Sequence, residues 1–186
     1  MSIFSDESVL LIKNWEAVRD IINAKQRLEK EMTQFLHSLE MDFKKTDWWH
    51  NRWVFTKYSW NGVYISKRDW ELDKEYAVWI GVQTFTPENL FGYEANAELY
   101  VWVPAKWRNL TVQLTEQVAD KESDIIGEIA VKASSGYIIR HAVTQCLPEE
   151  IDSFEERTRS QIINFIAHYA HVIEKYDRLI KESLAE

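Results

Sequence analysis

Glu94 and Glu98 are the first residues here whose types and spacing suggest chemistry. Four positions apart in an extended run, they fall on one side of a strand. Tyr100 and Trp102 continue the two-residue period. Two carboxylates beside aromatic rings are the equipment of glycosidic-bond hydrolysis, one as acid and the other as base or nucleophile. The same pattern is more ordinarily the polar face of a half-exposed strand. Arg140 and His141 add a cation and an imidazole that a pocket between sheet and helices could recruit. A second constellation is purely aromatic: Trp48-Trp49-His50-Asn51-Arg52-Trp53. Exposed indoles stack on sugars, bases or a partner's aliphatic side chains. Trp48, Trp49 and Trp53 therefore join Glu94, Glu98, Tyr100, Trp102, Arg140 and His141 as candidate ligand or partner contacts. Packing under the helices is the plainer reading for most of these rings.

Other chemistries find little support. His168, His171 and Glu174 are spaced by three, but at about 100° per residue His168 flanks the apolar stripe of its helix and His171 faces solvent. There is no His-Glu-x-x-His spacing and no Cys pair, so neither a metal site nor a cofactor is expected. Cys146 follows His141 by five residues without a nucleophile elbow or a Gly-rich phosphate loop. It reads as a small, largely buried thiol. The Asp…(Asp/Glu)-x-Lys signature of restriction-endonuclease-like nucleases has its final spacing only in Asp42-Phe43-Lys44, at an expected helix end. No catalytic residue is assigned.

Composition narrows the partners. The 186 residues carry a formal charge of −8, 46% apolar and 28% charged residues, five Gly and three Pro. That is an ordinary globular composition, most simply a single domain over 1–186. An acidic chain without a basic stripe is a poor fit to nucleic acid. A single cysteine suits a reducing compartment. The N-terminal stretch lacks the basic and apolar regions of a signal peptide, and no apolar run approaches the roughly 20 residues that span a bilayer. No membrane contact is expected, and the cytoplasm is the expected location.

The elements that must position these residues can be read in order. Eight of the nine Trp lie between Trp48 and Trp107, marking a sheet-rich core over about 48–145. Before it, Val18, Ile21, Leu28, Met32, Phe35 and Leu39 recur at helical steps, interrupted by Lys25. One helix over about 6–43 is expected, capped near Ser5 and about 57 Å long if continuous. Strands are expected at Arg52–Ser59 and Val63–Arg68, joined by Asn61-Gly62 as a type I′ turn. Others are expected at Tyr76–Phe85, Ala95–Val103, Ile125–Lys132 and Tyr137–Thr144. Residues 107–120 fit either helix or strand, with helix favoured. Leu147-Pro148-Glu149-Glu150 opens a last helix over about 149–184.

The fold class read from this pattern is α+β: an antiparallel sheet of about five strands flanked by long N- and C-terminal helices. Two functions suit it. One is a non-enzymatic binding or assembly module that uses amphipathic helices and an aromatic-rich sheet to meet a protein partner. The alternative is an enzyme or small-ligand binder with a pocket between sheet and helices. A rod of about 57 Å cannot lie wholly against a body whose radius of gyration is about 16 Å. Leu11, Ile12, Trp15 and Ile22 also widen the first stripe beyond one partner's width. A homodimer through the N-terminal helix is the expected assembly.

Overall fold

The computed structural model, which describes residues 4–92, 96–122 and 136–185, opens on a capped helix. In α1 (Asp6–Lys13) the Ser5 hydroxyl accepts the Ser8 N–H at 3.3 Å, and Asp6 and Glu7 occupy the positive first turn. The chain re-enters helix at once as α2 (Trp15–Phe43). The single helix expected over 6–43 is therefore two. Asn14, at φ −112° and ψ 23°, leaves the helical range, and its side-chain amide donates to the Leu10 carbonyl at 2.8 Å. A side chain thus competes with the backbone ladder at that turn.

The core elements follow in a simple order. β1 (Trp53–Ser59) and β2 (Gly62–Lys67) form a hairpin, and a short ribbon of β3 (Glu71–Leu72) and β4 (Glu75–Tyr76) lies apart from the main sheet. Next come β5 (Trp79–Gln83), α3 (Pro87–Phe91), β6 (Glu98–Trp102), α4 (Arg108–Glu122) and β7 (Tyr137–Ala142). The main sheet has the order β1-β2-β5-β6-β7, with every neighbouring pair antiparallel. The α+β class and the five-stranded antiparallel sheet are as the pattern required. Residues 107–120 resolve as helix, whereas the strand expected at 125–132 lies outside the described residues.

Several boundaries need correction. The strand expected over Tyr76–Phe85 is divided between β4 of the ribbon and β5 of the sheet. The last helix is also two, α5 (Ile151–Glu174) and α6 (Asp177–Leu184), parted at Tyr176 with φ −101° and ψ 16°. The β1–β2 hairpin forms, but Ser59 pairs with Gly62, so its loop is Trp60-Asn61 and neither Asn61 nor Gly62 takes a positive φ. Gly62 instead meets a close approach, since a Cβ there would lie 3.2 Å from the Val82 carbonyl. Among the described residues, the two-residue turn with both φ positive is Asp73-Lys74, at 55° and 66°, between Leu72 and Glu75.

Strand parity then sets the layers. Val63, Ile65, Ile80, Val82, Leu99, Val101 and Ile139 occupy one sheet face, and all are buried. They share a core with Met32, Leu36, Leu39 and Phe43 of α2 and Ile162, Ile166, Tyr169 and Ile173 of α5. Tyr64, Gly81, Tyr100, Trp79, Trp102, Gln83 and Glu98 occupy the opposite face.

Asp73 and Lys74 hold a left-handed backbone that L side chains disfavour by about 1–2 kcal/mol per residue. Replacing the pair with Asn-Gly should stabilise the protein by about 1 kcal/mol, since glycine's own entropic cost offsets part of the relief. A urea midpoint that rises with an unchanged slope is the expected result, and a lower midpoint would contradict the turn geometry.

Candidate functional site

The face turned away from the core holds four of the nine residues singled out in the sequence: Glu98, Tyr100, Trp102 and Arg140. Glu98, Tyr100 and Trp102 leave β6 on one side, as alternation requires. Arg140 stands opposite Tyr100, and its guanidinium pairs with Glu98 Oε1 while lying 4.9 Å above the Tyr137 ring. Gln83, paired with Glu98 across β5 and β6, donates from Nε2 to Glu98 Oε2 at 2.9 Å and to the Tyr137 hydroxyl at 2.7 Å. Thr84 follows at φ 53°, an unusual value for a β-branched residue, with its hydroxyl held by the Asn96 carbonyl at 2.5 Å.

Rings continue this polar patch along the face. Trp79 stacks on Tyr64 at 4.3 Å and 7°, meets Trp102 edge-on at 4.7 Å, and is met in turn by Tyr58 at 5.3 Å. Gly81, opposite both Tyr64 and Tyr100, makes the layer possible. A Cβ on Gly81 would fall 2.2 Å from the Val63 carbonyl and 2.7 Å from Tyr64 Cβ. Tyr100 is only 3% exposed, and burial, followed by the neighbouring Tyr137 hydroxyl, pushes its own phenol well above the usual tyrosine range. It is a fixed neutral ring rather than an acid.

The remaining candidates lie elsewhere. His141 pairs with Leu99 and so points to the other face from Arg140. Glu94 lies outside the described residues, so the carboxylate pair is represented by Glu98, whose oxygens are already committed to Arg140 and Gln83. Trp48 and Trp49 sit in the turn between α2 and β1, which lets consecutive rings both reach Phe43, at 6.0 and 6.1 Å. Both are half-buried, while Trp53 is buried edge-on between Trp48 and Trp70 at 5.7 and 5.6 Å.

A charged cluster that the sequence pattern did not flag lies at the far end of the core. Lys67 shares the inward parity of Val63 and Ile65 and is 1% exposed. Its ammonium sits 5.5 Å from the Trp53 ring and 5.3 Å from the Trp70 ring. Glu174 Oε1 meets it at 2.5 Å and Asp177 Oδ1 at 3.4 Å, and Trp70 Nε1 donates to that same Asp177 oxygen at 2.8 Å. Arg52, Asp69 and Lys181 extend the network outward, and His50 Nε2 lies 3.4 Å from Glu174. Parity was the available signal, because a lysine on an inward strand position must bring an anion with it.

Among the described residues, no group of three or more His, Cys, Asp or Glu side chains is placed to hold a metal ion, and no helix is long and apolar enough to cross a membrane. His168 and His171 lie on α5 outside its buried stripe, and Cys146 is buried. Comparison with protein families, curated proteins and solved structures gives no match. The sheet face is aromatic, with the hydrogen-bonded groups Gln83, Glu98 and Arg140 at one end.

Two expectations follow. Burial alone would raise the Asp177 pKa, but hydrogen bonds from Lys181 and Trp70 and the charge of Lys67 outweigh it and hold the carboxyl at about 2, against an ordinary 3.8. Glu174 is lowered in the same way, with Lys67 outweighing burial. A depressed carboxyl stabilises the fold above its unfolded pKa, and that stabilisation fades as pH falls from about 4 through about 2. Asp177→Asn should cost on the order of 2 kcal/mol at pH 7 and much less near pH 2. Urea titrations of both proteins at the two pH values check this, and a gap that does not narrow in acid would refute it. Gly81→Ala should cost about 1–3 kcal/mol through overpacking, and near-ultraviolet circular dichroism of the aromatic layer should change with it. An unaltered spectrum and midpoint would contradict the close approach.

Proposed function

We propose that this protein is a non-enzymatic assembly module that forms a homodimer through its N-terminal helices and offers the aromatic sheet face to a protein partner. The observation that carries the reading is an overhang. From Phe4 to Arg27 every side chain is exposed except half-buried Val9 and Val18. Yet this segment carries Leu10, Leu11, Ile12, Trp15, Ile21 and Ile22. In α2 the stripe Val18, Ile21, Lys25, Leu28, Met32, Leu36, Leu39 and Phe43 keeps steps of three and four. Its last four members are buried in the body, while Val18, Ile21 and Lys25 lie outside it. An apolar stripe that outruns its own core is what an intersubunit helix seam looks like.

The alternative, an enzyme or small-ligand binder, is weaker on the same geometry. Grooves of about 270, 250 and 430 Å³ lie away from Glu98 and Arg140, and those two side chains neutralise each other. A net charge of −8 and the absence of a basic stripe favour a protein over a nucleic acid as the partner. The single thiol fits the reducing cytoplasm.

Light scattering at micromolar concentration should report about twice the 22.1 kDa chain mass. Trp15→Glu with Ile22→Glu should halve it while leaving the circular dichroism spectrum of the body intact, because both side chains are exposed, at 56% and 48%. A monomeric mass for the unmodified chain would overturn the reading.

A further inference from the structure

One side of α2 joins the overhang to a notch in the body. At about 100° per residue, Trp15, Gln26, Glu29 and Thr33 all fall within about 40° of Ile22 around the helix. Gln26, Glu29, Lys30 and Thr33 enclose, with Trp60 of the β1–β2 loop, a notch of about 250 Å³. The Trp60 side chain is 49% exposed, but its backbone is tied to α2. The Thr33 hydroxyl lies 2.9 Å from the Trp60 carbonyl and 2.8 Å from that of Glu29. Exposed Trp15 and Ile22 therefore share one face of a single helix with a second exposed indole and a preformed notch.

We infer that Trp15 of each copy docks beside Trp60 in this notch on a second copy, with the two α2 helices antiparallel. The inference rests on the dimer proposed above and names the contact that closes it. Three observations select this occupant. The first is spacing. Trp15 precedes Ile22 by seven residues, and the notch is centred about seven residues after it. A two-fold axis level with Ile22 or Asn23 brings Trp15 to residues 29–31 of the other helix, on the face that carries the notch, and does so twice. Because α2 is unbroken from Trp15 through Phe43, that register holds along its length and no copy can fill its own notch. The second is charge. The same axis brings Glu16, in the first turn of α2, to residues 28–30, beside Lys30 on the notch rim. A parallel pair would set Lys25 against Lys25 and Glu29 against Glu29 along the seam, and would leave the notch without a ring. The third is area. Trp15, Val18 and Ile22 alone fall short of the ~800 Å² per partner that a specific interface covers, even with the ~150–250 Å² an aromatic ring can contribute. Docking in the notch adds Trp60 on each side, so four indoles enter the contact.

The test is site-specific cross-linking with a short bismaleimide at exposed Glu16 and Lys30. Glu16→Cys/Lys30→Cys should give a covalent dimer. Within one chain the two thiols are about 21 Å apart along α2, whereas antiparallel copies bring them together across an interaxial distance of about 8–10 Å. Each single variant, and the unmodified chain with its buried Cys146, should stay un-cross-linked. Trp60→Ala should weaken the dimer about tenfold or more in a dilution series followed by light scattering. Dimers that cross-link through Lys30→Cys alone would show a parallel seam. Dimers that no variant cross-links, or whose dissociation ignores Trp60→Ala, would place the contact elsewhere. Each of these results overturns the notch contact but not the dimer. A monomer would remove both.

Discussion

An ammonium group enclosed by indole rings can keep its charge only if anions are brought to it. Lys67 imposes that condition on this fold. Its two anions, Glu174 and Asp177, lie 107 and 110 residues later, one closing α5 and the other opening α6. The β1–β2 hairpin and the C-terminal helices are therefore tied at one point, between Trp53 and Trp70. Asp177 gains twice from its position, since an acid in the first turn of α6 also faces the positive helix end. Most of the surrounding core is apolar and non-directional, and this polar junction supplies a specific orientation that burial alone would not.

The sheet divides its labour by parity. One face is aliphatic and carries the α2 and α5 layer. The other is built from Tyr64, Trp79, Tyr100 and Trp102 with a Gln83–Glu98–Arg140 edge. Glycine at position 81 lets the aromatic layer close over the strand. Stiff rings stacked at fixed distances lose little conformational entropy when something rests on them, which is the property a recognition surface needs.

What the sequence could and could not disclose follows the range of each interaction. The α2 and α5 stripes and the alternation of β6 are local patterns, and they were legible. The helix breaks were not. Asn14 and Tyr176 are mild helix formers without Pro or Gly beside them, and the second break is fixed by distant contacts, such as the Tyr176 hydroxyl on the Gln117 carbonyl at 3.2 Å. Asn61-Gly62 is a strong local turn signal, yet Gly62 serves the approach of β5 while the loop moves one residue back. Glu98, Tyr100 and Trp102 shared a face as strand periodicity implied, and Arg140 of β7 came to it by pairing opposite Tyr100. Gln83 and Tyr137 joined them only through cross-strand pairing, which one sequence does not reveal.

The connectivity of the sheet also bears on how the chain comes to be folded. Main-sheet strands pair in chain order, so the meander can grow from the tight β1–β2 hairpin, although β7 joins β6 only after the connection that carries α4. The helical layer cannot. Asp42 of α2 meets Arg159 of α5 across 117 residues. At a synthesis rate of about 5–20 residues per second, α2 waits roughly 6–23 s for its partner helix to be made. During that interval its apolar stripe is open to chaperones and to neighbouring nascent chains. If dimers form, sister chains on one polysome are well placed to make them, pairing N-terminal helices before either sheet is complete.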